Sequence, residues 1–366
     1  MRKYFALFML GILSACSSTI APTGISFEKI SFRQVEGWYQ DDFAEAYPAL
    51  IKSCTAPAPV WHKFCERLHD IKEPNSAAIR KLAERYLTPY QVYANGQKLG
   101  RFTGYYEASL EGAMKPTKNM TEPIYAVPDD LVRVDLGHFG VNSQQAYLMG
   151  RVQDGRFIPY YTRQQMADRA LKDKVIVWVD PVDAFLLHIQ GSGRVQVGNR
   201  TLYLNYAADN GHRFVGIGQL MKQDGLLEPG KASMPDIRKW LKQHPKQAQA
   251  LMNKNPRYIF FKTVSAVSGP FGAAGVSLTP LRSMAVDTRY IPLHTPLFLN
   301  TTDPNGRPLR RLVVAQDVGG AITGEVRGDY FWGYGEEAFE QAGRMNSSGS
   351  YVILWPKEAE FPMKNQ

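Results

Sequence analysis

Phosphate loops, dinucleotide fingerprints and helical metal pairs are all missing from this sequence. GPFGAAG, at 269–275, spaces its glycines in threes but lacks both the G-x-G-x-x-G of a dinucleotide site and the G-K-S/T of a phosphate loop. The seven histidines, His62, His69, His138, His188, His212, His244 and His294, contain no pair at the i, i+4 spacing of a helical zinc site. No G-x-S-x-G elbow occurs, and QGSGR around Ser192 has the wrong spacing, so serine-hydrolase chemistry has no support. Fixed-period repeats, heptads and low-complexity tracts are also lacking, which excludes solenoids and coiled coils. No bound metal and no cofactor is expected.

Long hydrophobic runs are scarce too. The one at the start, MRKYFALFMLGILSA, follows Arg2 and Lys3 and is too short to span a bilayer stably, so 1–15 reads as a secretion signal. Leu13-Ser14-Ala15-Cys16 resembles the lipobox of bacterial lipoproteins, making Cys16 the expected lipidation site. Serines rather than aspartate at 17 and 18 point to the outer membrane, with acyl chains as the anchor and the body facing the periplasm. Of three cysteines, Cys54 and Cys65 remain; in an oxidising compartment they form either a disulfide or two free thiols.

What the chain does have is ordinary globular composition, 44% hydrophobic and 21% charged, over 366 residues, enough for two compact domains. Its formal charge is +9. For an exported protein the polyanions at hand are anionic lipids or the carboxylates of peptidoglycan, and no nucleic-acid partner is expected.

From Ser17 to about Phe27 the chain reads as a tether. Helical spacing follows from about Asp42 to Leu68 and again in NSAAIRKLAERYL, where Asn75 or Ser76 can cap. From Gly100 strands are expected in RFTGYYEASL, EPIYAV, KVIVWVDPVDAFLLHIQGSGRVQVG and TLYLNYAA. Helices return in FVGIGQLMKQDGL and in MPDIRKWLKQHPKQAQALMN, opened by Ser233 and broken near Pro245. After Pro256, RYIFFKTV, TPLFLN, RLVVAQ and YVILW read as strands of a barrel or sandwich.

The chemistry rests on carboxylates, above all in DVGGAITGEVRGD, Asp317 to Asp329. It is no calcium loop, because Gly319, Ala321 and Gly328 stand where oxygen ligands are needed. Asp317 is expected at the exit of the VVAQ strand. Asp329 is expected after a further turn, beside Tyr330-Phe331-Trp332, where desolvation raises a carboxyl's pKa toward that of a general acid. Aspartates capping the turns of a hairpin would look the same.

AVDTRYIPLHTPLFL and VVAQDVGGAITGEVRGDYFWG resemble the three-aspartate domain of cell-wall-active proteins, here Asp287, Asp317 and Asp329. Upstream, FTGYYEASL, FLLHIQGSGRV, YAADNGHRFVGIGQLM and NPRYIFFK are similar to successive blocks of the membrane-bound lytic murein transglycosylase A family. The resemblance implies a mainly β fold with peripheral helices: a double-psi β-barrel, a second β-rich domain and a substrate groove between them. The expected division is 1–15 signal, 16–27 lipidated tether, 28–107 helical segment and first part of the barrel, 108–263 inserted β-rich domain, and 264–366 the barrel with the three aspartates.

The implied activity is non-hydrolytic cleavage of the β-1,4 bond between N-acetylmuramic acid and N-acetylglucosamine, leaving 1,6-anhydro ends. Asp329 is implied as acid–base residue and Asp317 as its neighbour; Asp287 is either support or a turn residue. Thr103, Gly104, Tyr105, Tyr106, Gln190, Gly191, Ser192 and Gly193 are candidates for the glycan groove, in competition with plain strand and turn roles. The expected partner is the peptidoglycan glycan strand. An inverting hydrolase on the same barrel and a non-catalytic glycan-binding envelope lipoprotein remain alternatives.

Overall fold

A computed structural model describes residues 24–141, 147–169, 171–265 and 269–362. The leader, Cys16 and most of the tether lie outside the described residues. Regular structure begins inside the segment expected as tether, because Ile25–Lys29 is a strand, β1. Helices α1 (Tyr47–Ser53), α2 (His62–His69) and α3 (Ser76–Tyr86) follow, the last capped by the Asn75 side chain, which accepts from the Ala78 N–H at 3.0 Å. Cys54, just past α1, is joined to Cys65 of α2 by a disulfide.

Strands then dominate: β2 (Leu87–Ala94), β3 (Gly100–Ala113), β4 (Glu122–Tyr125), β5 (Val132–Asp135), β6 (Tyr147–Gln153) and β7 (Arg156–Pro159). After α4 (Arg163–Ala167) come β8 (Val175–Val179), α5 (Pro181–Gln190), β9 (Ser192–Val197) and β10 (Arg200–Asp209). Helices α6 (Ile217–Gln223), α7 (Met234–Gln243) and α8 (Pro245–Asn253) precede β11 (Ile259–Val264). The last stretch holds β12 (Ser283–Val286), β13 (Pro296–Thr302), β14 (Pro308–Asp317), β15 (Arg327–Tyr334), α9 (Gly335–Arg344) and β16 (Asn346–Pro356). The protein is thus mainly β with helices around the sheets.

Pairing runs β16-β13-β14-β12-β15-β3, and β16 also pairs with β3, so these six strands close into a ring. Within β12, β13, β14 and β16 the runs SMAV, PLFL, LVVA and YVILWP are buried without alternation, because both faces are covered there. Phe298, Val313 and Ile353 of the ring share one core with Leu50, Phe64, Leu68 and Ile79 of the amino-terminal helices. Strand β3 is long enough to leave the ring. Its first half pairs with β15, whereas Ala108–Glu111 pair with β9. There it enters a second core with α5, α6, α7 and α9, and Trp332 of β15 packs against both cores.

One expected strand is a helix. Within the run expected as strand, Pro181–Gln190 forms α5, capped by Asp180, whose carboxylate accepts from the N–H groups of Val182 and Asp183 at 2.9 and 3.1 Å. A continuous apolar run carries no period to separate helix from strand. The cap, Pro181 at the first turn and Gly191 at the left-handed terminus (φ +79°) were the signals that distinguish them.

Candidate active site

One register row crosses five strands: Asp317 on β14, Ala285 on β12, Asp329 on β15, Thr103 on β3 and Asn346 on β16. A bulge creates it. Ser283 faces Val314 and Met284 faces Ala315, but Ala285 faces Asp317, so Gln316 is an extra residue in β14. The Gln316 side chain is buried and fully engaged: it donates to the Ala49 carbonyl and the Ser53 hydroxyl, each at 2.8 Å, and accepts from the Ser283 hydroxyl at 2.6 Å. Such a satisfied buried network fixes the bulge, and the bulge brings Asp317 level with Asp329. Between their two strands lies β12, which contributes Ala285 to the row.

Further support comes from Arg282, buried where β12 begins, whose guanidinium donates to both Asp41 carboxylate oxygens at 2.8 and 3.0 Å and to Glu45 at 2.7 Å. This fork fastens the amino-terminal segment to the start of β12.

Asp329 is the third residue of β15, beyond the loop that follows Asp317. Protein atoms crowd it while part of its surface stays open to solvent. Burial raises its pKa, against the opposing pull of the Thr103 hydrogen bond and of the Arg327 and Arg101 charges. The Thr103 hydroxyl donates to Asp329 Oδ1 at 2.5 Å and accepts from Arg327 at 2.8 Å, a relay from guanidinium through hydroxyl to carboxyl. Asp317 is pushed up to about 6, first by burial and further by the charge of Asp329, although the Ala273 N–H donates to it at 3.0 Å. Two carboxyls whose pKa values burial raises, one on each side of Ala285 in a single row, are suited to holding and releasing a proton.

The third aspartate is occupied otherwise. Asp287 is buried and accepts from Arg289 Nε at 2.9 Å and from the Gly324 N–H at 2.8 Å. Burial pushes its pKa up, but these bonds outweigh it and hold the carboxyl below its ordinary value. Since Gly324 belongs to the loop between Asp317 and Asp329, Asp287 fastens that loop.

Among the groove candidates, Thr103 and Tyr105 share the face of β3 that carries the row. Tyr105 packs its ring on Phe331, centroids 5.1 Å apart, and its buried hydroxyl has no hydrogen bond of good geometry. Burial, then the charges of Asp317 and Asp329, keep that hydroxyl protonated. Gly104 is required by a close approach: a Cβ there would lie 2.5 Å from Trp332 Nε1 and 2.9 Å from the Ala342 Cα. Tyr106 points the other way, against Phe339, and lines a cavity of about 440 Å³ with Thr103, Gly104 and Gln190. Gln190 also accepts from the Tyr106 N–H at 3.3 Å. The rest of QGSG does not line this cavity: Gly191 ends α5, Ser192 opens β9, and a Cβ on Gly193 would meet Leu187 Cδ1 at 2.5 Å.

Arg101 and Arg327 escaped the sequence reading. Each stands two residues before a row member on its strand, so strand periodicity places it on the same face and was the available signal. The two oppose each other in register, Arg327↔Arg101.

Fold and site together define a β-rich protein in which two carboxyls, on the strands either side of β12, share one row of a closed ring. Comparison with known proteins is specific. Residues 101–262 match the MltA specific insert domain and residues 282–355 the 3D domain. MltA from Neisseria gonorrhoeae is 34% identical with a TM-score of 0.82, over 92% of this chain and 94% of that one. The membrane-bound lytic murein transglycosylase from Agrobacterium tumefaciens is 30% identical with a TM-score of 0.80, over 91% and 98%. Membrane-bound lytic murein transglycosylase A of Escherichia coli K12 is 30% identical over 69% of this chain, and the chain spans 65% of that relative's length. An E. coli MltA structure with bound chitohexaose has the same fold at 24% identity and a TM-score of 0.71, over 90% of this chain and 94% of that one. The chain belongs to the membrane-bound lytic murein transglycosylase A family.

Proposed function

We propose that this protein is a peptidoglycan lytic transglycosylase that cleaves the β-1,4 bond between N-acetylmuramic acid and N-acetylglucosamine and leaves 1,6-anhydromuramic ends. The observation that carries this reading is the Asp317–Asp329 row: a desolvated carboxyl held by Thr103, with a second raised carboxyl beside it. Asp329, protonated, gives its proton to the glycosidic oxygen as the C1–O bond breaks. Its carboxylate then takes the proton of the muramyl 6-hydroxyl as O6 closes on C1, which restores the acid. Asp317 adds like charge when ionised, which favours the protonated form of its neighbour. Water is not a reactant, and the sugar's own hydroxyl replaces it.

In this reading the closed ring is a double-psi barrel built from the parts before about 108 and after about 263, and the glycan lies in a groove between it and the middle domain. The chitohexaose bound by the E. coli relative is a β-1,4 chain of the same linkage class. Lipidation at Cys16 would hold the protein on the outer membrane facing the periplasm. Among the described residues no helix is long and apolar enough to cross a membrane.

Mass analysis of muropeptides released from sacculi tests the proposal. Wild type is expected to give anhydro ends and Asp329→Asn none, with the variant's melting cooperative as in wild type. Products heavier by one water would mark a hydrolase. Binding without any release would mark a glycan-binding lipoprotein.

A further inference from the structure

The cavity of about 440 Å³ beside the row is lined by three cationic side chains, Arg101, Lys222 and Arg344, and by no acidic one. It is of a size that holds small organic groups, for which pockets run from roughly 300 to 1,000 Å³. Arg344 is paired with Glu340 at 2.9 Å. The Arg101 guanidinium donates to the neutral Asn346, at 2.8 Å, and among the described residues neither Arg101 nor Lys222 forms an ion pair. The amino-terminal end of α7 at the rim is already satisfied, since Ser233 and Asp236 cap each other there. Recognition therefore falls to two unpaired cations on a floor that also presents Thr103, Gln190 and Asn346.

We propose that this cavity is a carboxylate-binding subsite that receives the peptide stem of the muramyl residue being cleaved. The inference rests on the transglycosylase reading for its ligand, and the geometry supplies the rest. Thr103 belongs both to the cavity wall and to the acid–base row, so a muramyl ring held against Asp329 has its substituents within reach of the cavity. The charges of a peptidoglycan strand are carboxylates: those of the peptide attached to the lactyl group or, where the peptide is absent, the lactyl carboxylate itself. Two unpaired cations next to the reacting sugar match that acidic branch and have no carboxylate to meet on a chain of N-acetylglucosamine alone. Arg101 has a second use, because its charge also opposes the rise in the Asp329 pKa.

Full-length Asp329→Asn protein, expected not to turn over, is titrated by NMR with N-acetylmuramyl-L-alanyl-D-glutamate and with the same compound bearing both carboxyls as amides. The acid is expected to bind about tenfold more tightly than the amide at low salt, and the difference should shrink as salt is raised. Adding Lys222→Ala should remove most of the preference for the acid while leaving amide binding as it was. Equal binding of acid and amide, or a preference that survives both Lys222→Ala and Arg101→Gln, overturns the subsite. Anhydro products from wild type without any such preference would leave the transglycosylase reading standing and this one refuted. A clear preference without anhydro products would support the subsite and refute the reaction.

Discussion

Asp317 and Asp329 stand on either side of Ala285 in a single register row, joined by a β-bulge at Gln316 that no ordinary pairing of β12 and β14 would produce. A shift of one residue would put Gln316 opposite Ala285 and take Asp317 out of the row. The row makes the two carboxyls interact and makes their chemistry testable.

Asp317 should cost the protein stability near neutral pH. Its folded pKa, about 6, lies above the unfolded value of about 3.9, so the folded state holds the proton more tightly. The resulting stabilisation is fully present below about pH 3.9 and is lost as pH rises through 6. Asp317→Asn should therefore melt at a higher temperature than wild type at pH 7–8, by at most about 3 kcal/mol, and the two should converge near pH 4. Parallel melting curves across that range would reject the assignment.

Thr103 donates to Asp329 and so favours its ionised form. Thr103→Val should raise the Asp329 pKa further and move the alkaline limb of kcat/KM upward by about one pH unit, the size expected for losing a hydrogen bond to a charged group. Thr103→Ser should restore the wild-type profile. An unmoved limb in the valine variant would show that the hydroxyl does not tune this carboxyl.

At Gly104 the limit is steric. Adding a methyl group would press on Trp332 and on the backbone of α9 at Ala342. Gly104→Ala should lower stability by about 1–3 kcal/mol, read as a reduced urea midpoint. A wild-type midpoint would mean that α9 yields without cost.

The Cys54–Cys65 bond closes a short loop between α1 and α2, with a sequence separation of 11. Loop-closure entropy predicts that the double Cys→Ala variant loses about 3 kcal/mol. Urea melts of oxidised wild type and the variant measure it. Equal midpoints would place the stabilisation elsewhere, in the core that Trp61, Phe64 and Leu68 already supply.

The elements with local signals were legible in the sequence. Asn75 and Ser233 announced α3 and α7, and the β-branched and aromatic runs announced β3, β10, β13, β14 and β16. Helix α5 was missed because an apolar run buried on all sides has no period, although its cap was written in Asp180-Pro181. In the site, Asp317, Asp329 and Thr103 stood out from glycine-rich context and from the resemblance of their motifs. The partners Arg101 and Arg327 did not, since a surface arginine and a site arginine look alike until pairing shows what each one faces.

By itself, the sequence determined the local conformations and the stock of acids: caps, strand periods, glycines where the backbone must turn, and two aspartates twelve residues apart. Only the tertiary structure decided that Thr103 meets Asp329 across 226 residues, that Arg282 locks to Asp41, and that Gln316 bulges to bring Asp317 into line. The reason is physical. Propensity and capping act within a few residues, whereas register, desolvation and the pairing of charges depend on which distant strands the closing ring brings side by side.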